Sequence, residues 1–158
     1  MGRSSQFFVA FKRHPRMMSP IIVATASSWY LCGLSWTIGI VVYPSFARVG
    51  VDQWRGFHAE HTRTITWAVG PMWVIQALSI GWWLLDPPPN TFTLAIVAAG
   101  LAGLAVVVTT LLAVPAHNKL SARYDPAVGK LLLRSHHART VAWTAGAVVC
   151  VVGLLAAP

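Results

Sequence analysis

Charge is what this chain has least of. Only 10% of its 158 residues are charged, and just four of those are Asp or Glu. A water-soluble domain carries about a quarter charged residues, so an ordinary soluble surface is excluded. Cysteine is equally scarce. Cys32 and Cys150 both fall within apolar runs, which excludes a disulfide framework or a cysteine metal cluster. No Asp, Glu or Lys lies at the middle of any apolar run, which argues against a proton or ion relay crossing the whole membrane.

Long uncharged runs fill the space that charge leaves. Hydrophobic residues make up 56% of the chain. Four runs stand out, at 21–43, 64–85, 91–116 and 140–158, each about the 20 residues that a helix needs to cross a bilayer. Lipid offers no partner to backbone N–H and C=O groups, so such runs must be helices. The sequence therefore predicts an all-α integral membrane four-helix bundle. Residues 1–20 form a basic lead at the interface, and residues 21–158 form the transmembrane domain.

The formal net charge is +8. The Lys and Arg residues gather at helix ends, where headgroups and topology account for them, and no nucleic-acid motif accompanies them. Eight of them (Arg48, Arg55, Arg63, Lys119, Arg123, Lys130, Arg134 and Arg139) lie on the face that carries two long connections, one after each odd-numbered helix. By that count the long connections are cytoplasmic and the location is the inner, or plasma, membrane, although the basic lead argues the reverse.

One phrase occurs twice. "HTRTITW" at 61–67 and "HARTVAW" at 137–143 share His, Arg, Thr and Trp in register. Tyr43-Pro44 precedes the first copy and Val114-Pro115 the second, and each connection contains an Asp that can cap a helix, Asp52 and Asp125. This order predicts two pseudo-symmetric hairpins related by an axis along the membrane normal. The bundle-facing stripe is then Trp54, His58, His61 and Ile65 on the second helix, and Lys130, Leu133, His137 and Val141 on the fourth. His61 and His137 are expected to face each other near one membrane surface.

Five of the six histidines, His58, His61, His117, His136 and His137, belong to that surface. Inward histidines on facing helices are how bundles build metal and haem sites, so a metal ion or haem is expected: a haem held by His61 and His137, with Arg63 and Arg139 reaching its propionates, or a non-haem metal ion held by three or more of His58, His61, His117 and His137. Arg63 with Trp67 and Arg139 with Trp143 are i, i+4 pairs. In that register they can clamp an anion, or they can be snorkelling arginines beside an aromatic belt.

The segments "VPAHNKL" at 114–120 and "HHART" at 136–140, with "VVYPSFARVG" and "FHAEHTRTITWAVGPMW" in the first half, resemble small four-helix bacterial membrane proteins of the anthrone-oxygenase-like group. Members carry a Val-Pro-x-Asn-Asn-x-Leu-like end to helix three and an Asn-His-x-Arg-Thr-like start to helix four. The resemblance implies a bacterial membrane, aromatic polyketide substrates, and Asn118 and Arg139 as site residues. His117 stands where the group has its first Asn, which turns the expectation towards metal or haem.

Two functional readings follow. One is a membrane redox or oxygenase-like protein acting on a lipid-soluble small molecule such as a quinone or polyketide, with Arg63, Arg139, Trp67, Trp143 and Asn118 around it. The other is a non-catalytic accessory subunit of a larger membrane complex, or a homo-oligomer. In that reading the eight Trp residues, the small-residue third helix and the basic lead are docking surfaces.

Overall fold

A computed structural model describes residues 20–157. The basic lead, but for Pro20, lies outside the described residues. Among the described residues four helices are long and apolar enough to cross a membrane: Pro20–Arg48, Val51–Leu85, Phe92–Leu120 and Pro126–Ala156. They form the first to fourth spans of an integral membrane bundle.

Each helix continues past its apolar run. The long connections expected at the polar end are absorbed into helix, leaving only residues 49–50 and 121–125 as turns. At 1.5 Å per residue the second span is roughly 50 Å long, well beyond the hydrocarbon thickness. Its histidine-bearing turns therefore stand at and above the membrane boundary. Asp125 caps the fourth span as expected, accepting from Ala127 N at 2.7 Å and Val128 N at 3.3 Å, with Pro126 in the first turn. Asp52 does not cap the second span. Gly50 holds that position, and Asp52 sits inside the first turn.

The two hairpins repeat an unusual feature. The first span opens into a π-helical turn at Ile38–Val42 and the third at Thr109–Ala113, each followed by a residue and then a proline. Pro44 and Pro115 have no N–H and would crowd the carbonyl four residues back. The wider turn relieves that crowding: Tyr43 N donates to Ile38 O, and Val114 N to Thr109 O, five residues earlier. Both wide turns lie beside the polar end of the bundle interior.

A helix that is apolar all round gives no cue to its buried face, because lipid accepts apolar side chains freely. Small polar side chains pin the spans together instead. Gln76 Nε2 donates to Ser28 Oγ at 2.9 Å, and Ser28 Oγ lies 3.6 Å from Cys150 Sγ, linking the second, first and fourth spans at mid-membrane. Two buried indoles fix the ends. Trp54 Nε1 donates at 2.7 Å to Leu120 O, a carbonyl at the end of the third span. Trp83 Nε1 donates at 3.0 Å to Thr91 Oγ1, across the proline turn that joins the second and third spans. In that turn Asn90 takes the left-handed conformation that its short polar side chain tolerates.

Gly153 meets the fully buried Trp83 ring. A Cβ there would come closer to Trp83 Cη2 than real Cβ atoms come, and the indole is tied by its bond to Thr91. Gly153→Ala is expected to destabilise the bundle by about 1–3 kcal/mol. Gly146→Ala, where the nearest atom is Leu101 Cβ at 3.7 Å, is expected to be tolerated. Thermal unfolding of both variants in detergent checks this.

Candidate functional site: a buried arginine in a central cavity

A cavity of about 380 Å³ lies inside the polar half of the bundle. All four spans line it. Leu31, Leu34, Ile65, Val69 and Trp73 make an apolar floor and wall, while Ser35, Tyr43, Thr109, His117, His136 and Arg139 bring polar groups to it. Thr66, Val114 and Asn118, which are exposed, place its rim on the second and third spans.

Arg139 is the central side chain. It is 7% exposed and reaches the cavity from the fourth span. Nη2 donates at 3.0 Å to His136 Nδ1, and Nη1 donates at 3.1 Å to Thr109 Oγ1, which the third span's wide turn presents. The guanidinium carbon lies 6.0 Å from the Trp143 ring centroid. Both bonded partners are neutral. Arg139 Nε is buried with no partner among the described residues. None of the chain's four carboxylates lines the cavity.

The arginine also fixes a tautomer. A guanidinium can only donate, so His136 Nδ1 accepts and the ring proton sits on Nε2. That N–H donates to Ser35 O at 2.7 Å. Ser35 Oγ and Thr140 Oγ1 lie 2.6 Å apart beside it, and Thr140 Oγ1 donates to His136 O at 2.9 Å. The wall formed by the first and fourth spans is therefore a set of bonded groups with defined donors. Gly39 supplies room for the ring, since a Cβ there would sit 3.1 Å from His136 Cδ2.

A second chain of groups leads from the cavity towards the end of the bundle. Tyr43 Oη is 3.1 Å from His117 Nε2, and His117 Nδ1 is 3.2 Å from His58 Nε2. Tyr43 and His117 line the cavity; His58 lies behind them, buried and stacked on Trp54 with centroids 5.2 Å apart. Tyr43 meets His136, His117 and His61 edge-on, at centroid separations of 4.9, 5.8 and 6.2 Å. His61 packs against Phe46 and Phe57, and its Nε2 is buried without a partner among the described residues.

The expected site residues divide into two groups. His117, Asn118, Arg139 and Trp143 line the cavity, His58 joins through a hydrogen bond, and His61 adjoins through Tyr43. His137, Arg63 and Trp67 are exposed and contribute nothing to it. The expected His61–His137 face-to-face pair is thus corrected, because His136 turns inward in place of His137. The stripe Lys130, Leu133, His137, Val141 is corrected with it, since Lys130, His137 and Val141 are exposed while Leu132, Ser135, His136, Arg139 and Thr140 are buried.

The two copies present different faces: Thr62 and Ile65 line the cavity while Arg63 and Thr64 are exposed, whereas Arg139 and Thr140 are buried and His137 and Val141 are exposed. Lipid decides which face of the fourth span is hidden. Val141 can face hydrocarbon without cost, whereas Ser135, His136, Arg139 and Thr140 need partners.

Among the described residues no three His, Cys, Asp or Glu side chains are grouped to hold a metal ion. With His137 turned outward, a haem bridging His61 and His137 has no seat. The residues present therefore do not fit the expected His61–His137 haem, nor a metal ion held by three of these side chains. Tyr43, Ser35, Thr109 and His136 are the site residues that the sequence reading missed. The Tyr-Pro and Val-Pro signals marked the two prolines but not the wide turns before them, and an i, i+3 spacing to Arg139 marked His136.

Because Arg63 and Trp67 lie outside, Arg63→Ala and Trp67→Ala are expected to leave ligand binding in the cavity within about twofold of wild type, as surface changes do. Calorimetric or fluorescence titration checks this. Compared with protein-family models, curated proteins and solved structures, the chain matches none of them.

Proposed function

We propose that the chain is a membrane-embedded, oxygenase-like oxidoreductase that binds a lipid-soluble, weakly acidic enol or phenol in the central cavity and holds it as its anion. One observation carries this reading. Arg139 is a buried cation whose bonded partners are neutral, in a cavity that no carboxylate lines. A buried charge without a counter-charge is costly, and a ligand anion supplies one. The apolar wall selects a ligand that already resides in the bilayer, and the rim on the second and third spans gives it a lateral way in.

The Tyr43–His117–His58 chain supplies the proton path. The ligand O–H bond breaks and its proton passes to Tyr43 Oη. Tyr43 gives its own proton to His117 Nε2, and His117 passes its Nδ1 proton to His58 Nε2. His58, whose basicity burial lowers, passes the proton on to water at the polar end of the bundle, and the electron pair stays on the ligand oxygen facing Arg139. The anion so formed is electron-rich, and in the oxygenase form of this reading dioxygen is its oxidant. The resemblance to the anthrone-oxygenase-like group supports a polyketide or quinone-type substrate. The Lys and Arg count supports a cytoplasmic position for this end of the bundle, in a bacterial inner membrane.

The test is binding in detergent, by titration and by thermal shift. The pair to compare is 2-hydroxy-1,4-naphthoquinone and 1,4-naphthoquinone, similar in shape but differing in acidity. The reading expects saturable binding and a raised unfolding midpoint with the hydroxylated ring only. Equal binding of both, or of neither, contradicts it. A chain that binds neither and co-purifies with larger partners is an accessory subunit instead.

A further inference from the structure

We propose that the ligand is long-tailed, with its head at Arg139 and its hydrocarbon tail in a groove between the second and third spans; this rests on the proposed function. The groove has a volume of about 430 Å³ and begins where the head cavity ends, because Trp73 borders both. Ala77, Gly81, Ala99, Ala102 and Gly103 make the space by being small. Val74, Ile80, Leu84 and Val106 complete an apolar wall.

Two further observations set the chemistry of what lies there. Gln76 is the one polar lining side chain besides the Trp73 indole, and it already donates to Ser28 Oγ at 2.9 Å. The groove therefore asks for hydrocarbon. Trp73, at the junction, borders both spaces, and its Nε1 is buried with no partner among the described residues. From Trp73 to Leu84 the second span rises about 16 Å, the length of a medium alkyl or isoprenoid chain. The tail would otherwise lie in lipid of equal apolarity, so it adds confinement and orientation more than hydrophobic affinity.

Photolabelling tests this. The probe is 2-hydroxy-1,4-naphthoquinone carrying an undecyl chain with a terminal diazirine, applied to the full chain in bilayer nanodiscs, with labelled peptides mapped by mass spectrometry. The expected result is labelling concentrated at Ile80–Leu84 and Ala95–Ala99, competed by the tailless head and lost in Arg139→Gln. Gly103→Leu, which fills the groove, is expected to redirect the label while leaving binding of the tailless head within twofold. Labels spread over the lipid-facing Trp29 and Trp36, or groove labels that persist in Arg139→Gln, overturn the tail proposal and leave the head site standing. Failure of the tailless head to bind overturns both.

Discussion

Arg139→Gln is expected to weaken binding of a lipid-soluble hydroxyaromatic anion by one to two orders of magnitude while the bundle remains folded. Hydrogen bonds to charged groups contribute about 1.5–3 kcal/mol, and each 1.4 kcal/mol is a factor of ten. Gln keeps a donor for His136 Nδ1 or Thr109 Oγ1 but removes the charge. It also removes a buried cation that the ligand-free protein must carry, so the ligand-free unfolding midpoint should hold steady or rise. The two readouts move apart, which separates lost recognition from lost fold. Titration and thermal unfolding of the same preparations check the prediction. A merely structural arginine would lower the midpoint and the affinity together.

The second large effect belongs to the proton path. His117→Phe removes both nitrogens that link Tyr43 to His58, and Tyr43→Phe removes the phenol while keeping the ring that packs on His136. Either change should slow formation of the bound anion by about 10²-fold or more, the usual contribution of a positioned acid–base group. Affinity at equilibrium should stay within about threefold, because Arg139 still faces the anion. Stopped-flow absorption with 2-hydroxy-1,4-naphthoquinone separates the two. Arg139→Gln lowers the amplitude of the anion signal, and His117→Phe lowers its rate. Loss of amplitude in His117→Phe would make the histidine a binding group and remove the relay.

The bundle could be read from the sequence because lipid leaves the backbone few choices. Four uncharged runs of spanning length can only be helices, and Asp125-Pro126 marks the start of the fourth to the residue. Which residues face inward was harder to read. In water the apolar stripe of a helix points to the core, but in a membrane Val141 on the outside costs nothing. The cue is then the polar set Ser135, His136, Arg139 and Thr140, which the expected stripe bypassed. The repeated phrase misled for a related reason. Its copies are alike in spelling but present different faces, so Arg139 is buried while Arg63 faces outward. Tyr43 and Thr109 reach the cavity from wide turns, and nothing in a straight 3.6-residue helix predicts where a five-residue hydrogen-bonded turn aims its side chains. The prolines at 44 and 115 were legible; the π turns they favour were not.

The central claim is that a buried, uncompensated guanidinium keeps a lipid-soluble acid ionised inside the bundle. The most direct measurement is the absorption spectrum of 2-hydroxy-1,4-naphthoquinone bound to the wild-type protein, at a pH where the free compound is neutral. A contact of the strength expected for Arg139 raises the ligand's acidity by about one to two pKa units, so the bound ligand should show the anion band, and Arg139→Gln should return it to the neutral spectrum. A neutral spectrum in the wild-type complex would contradict the account.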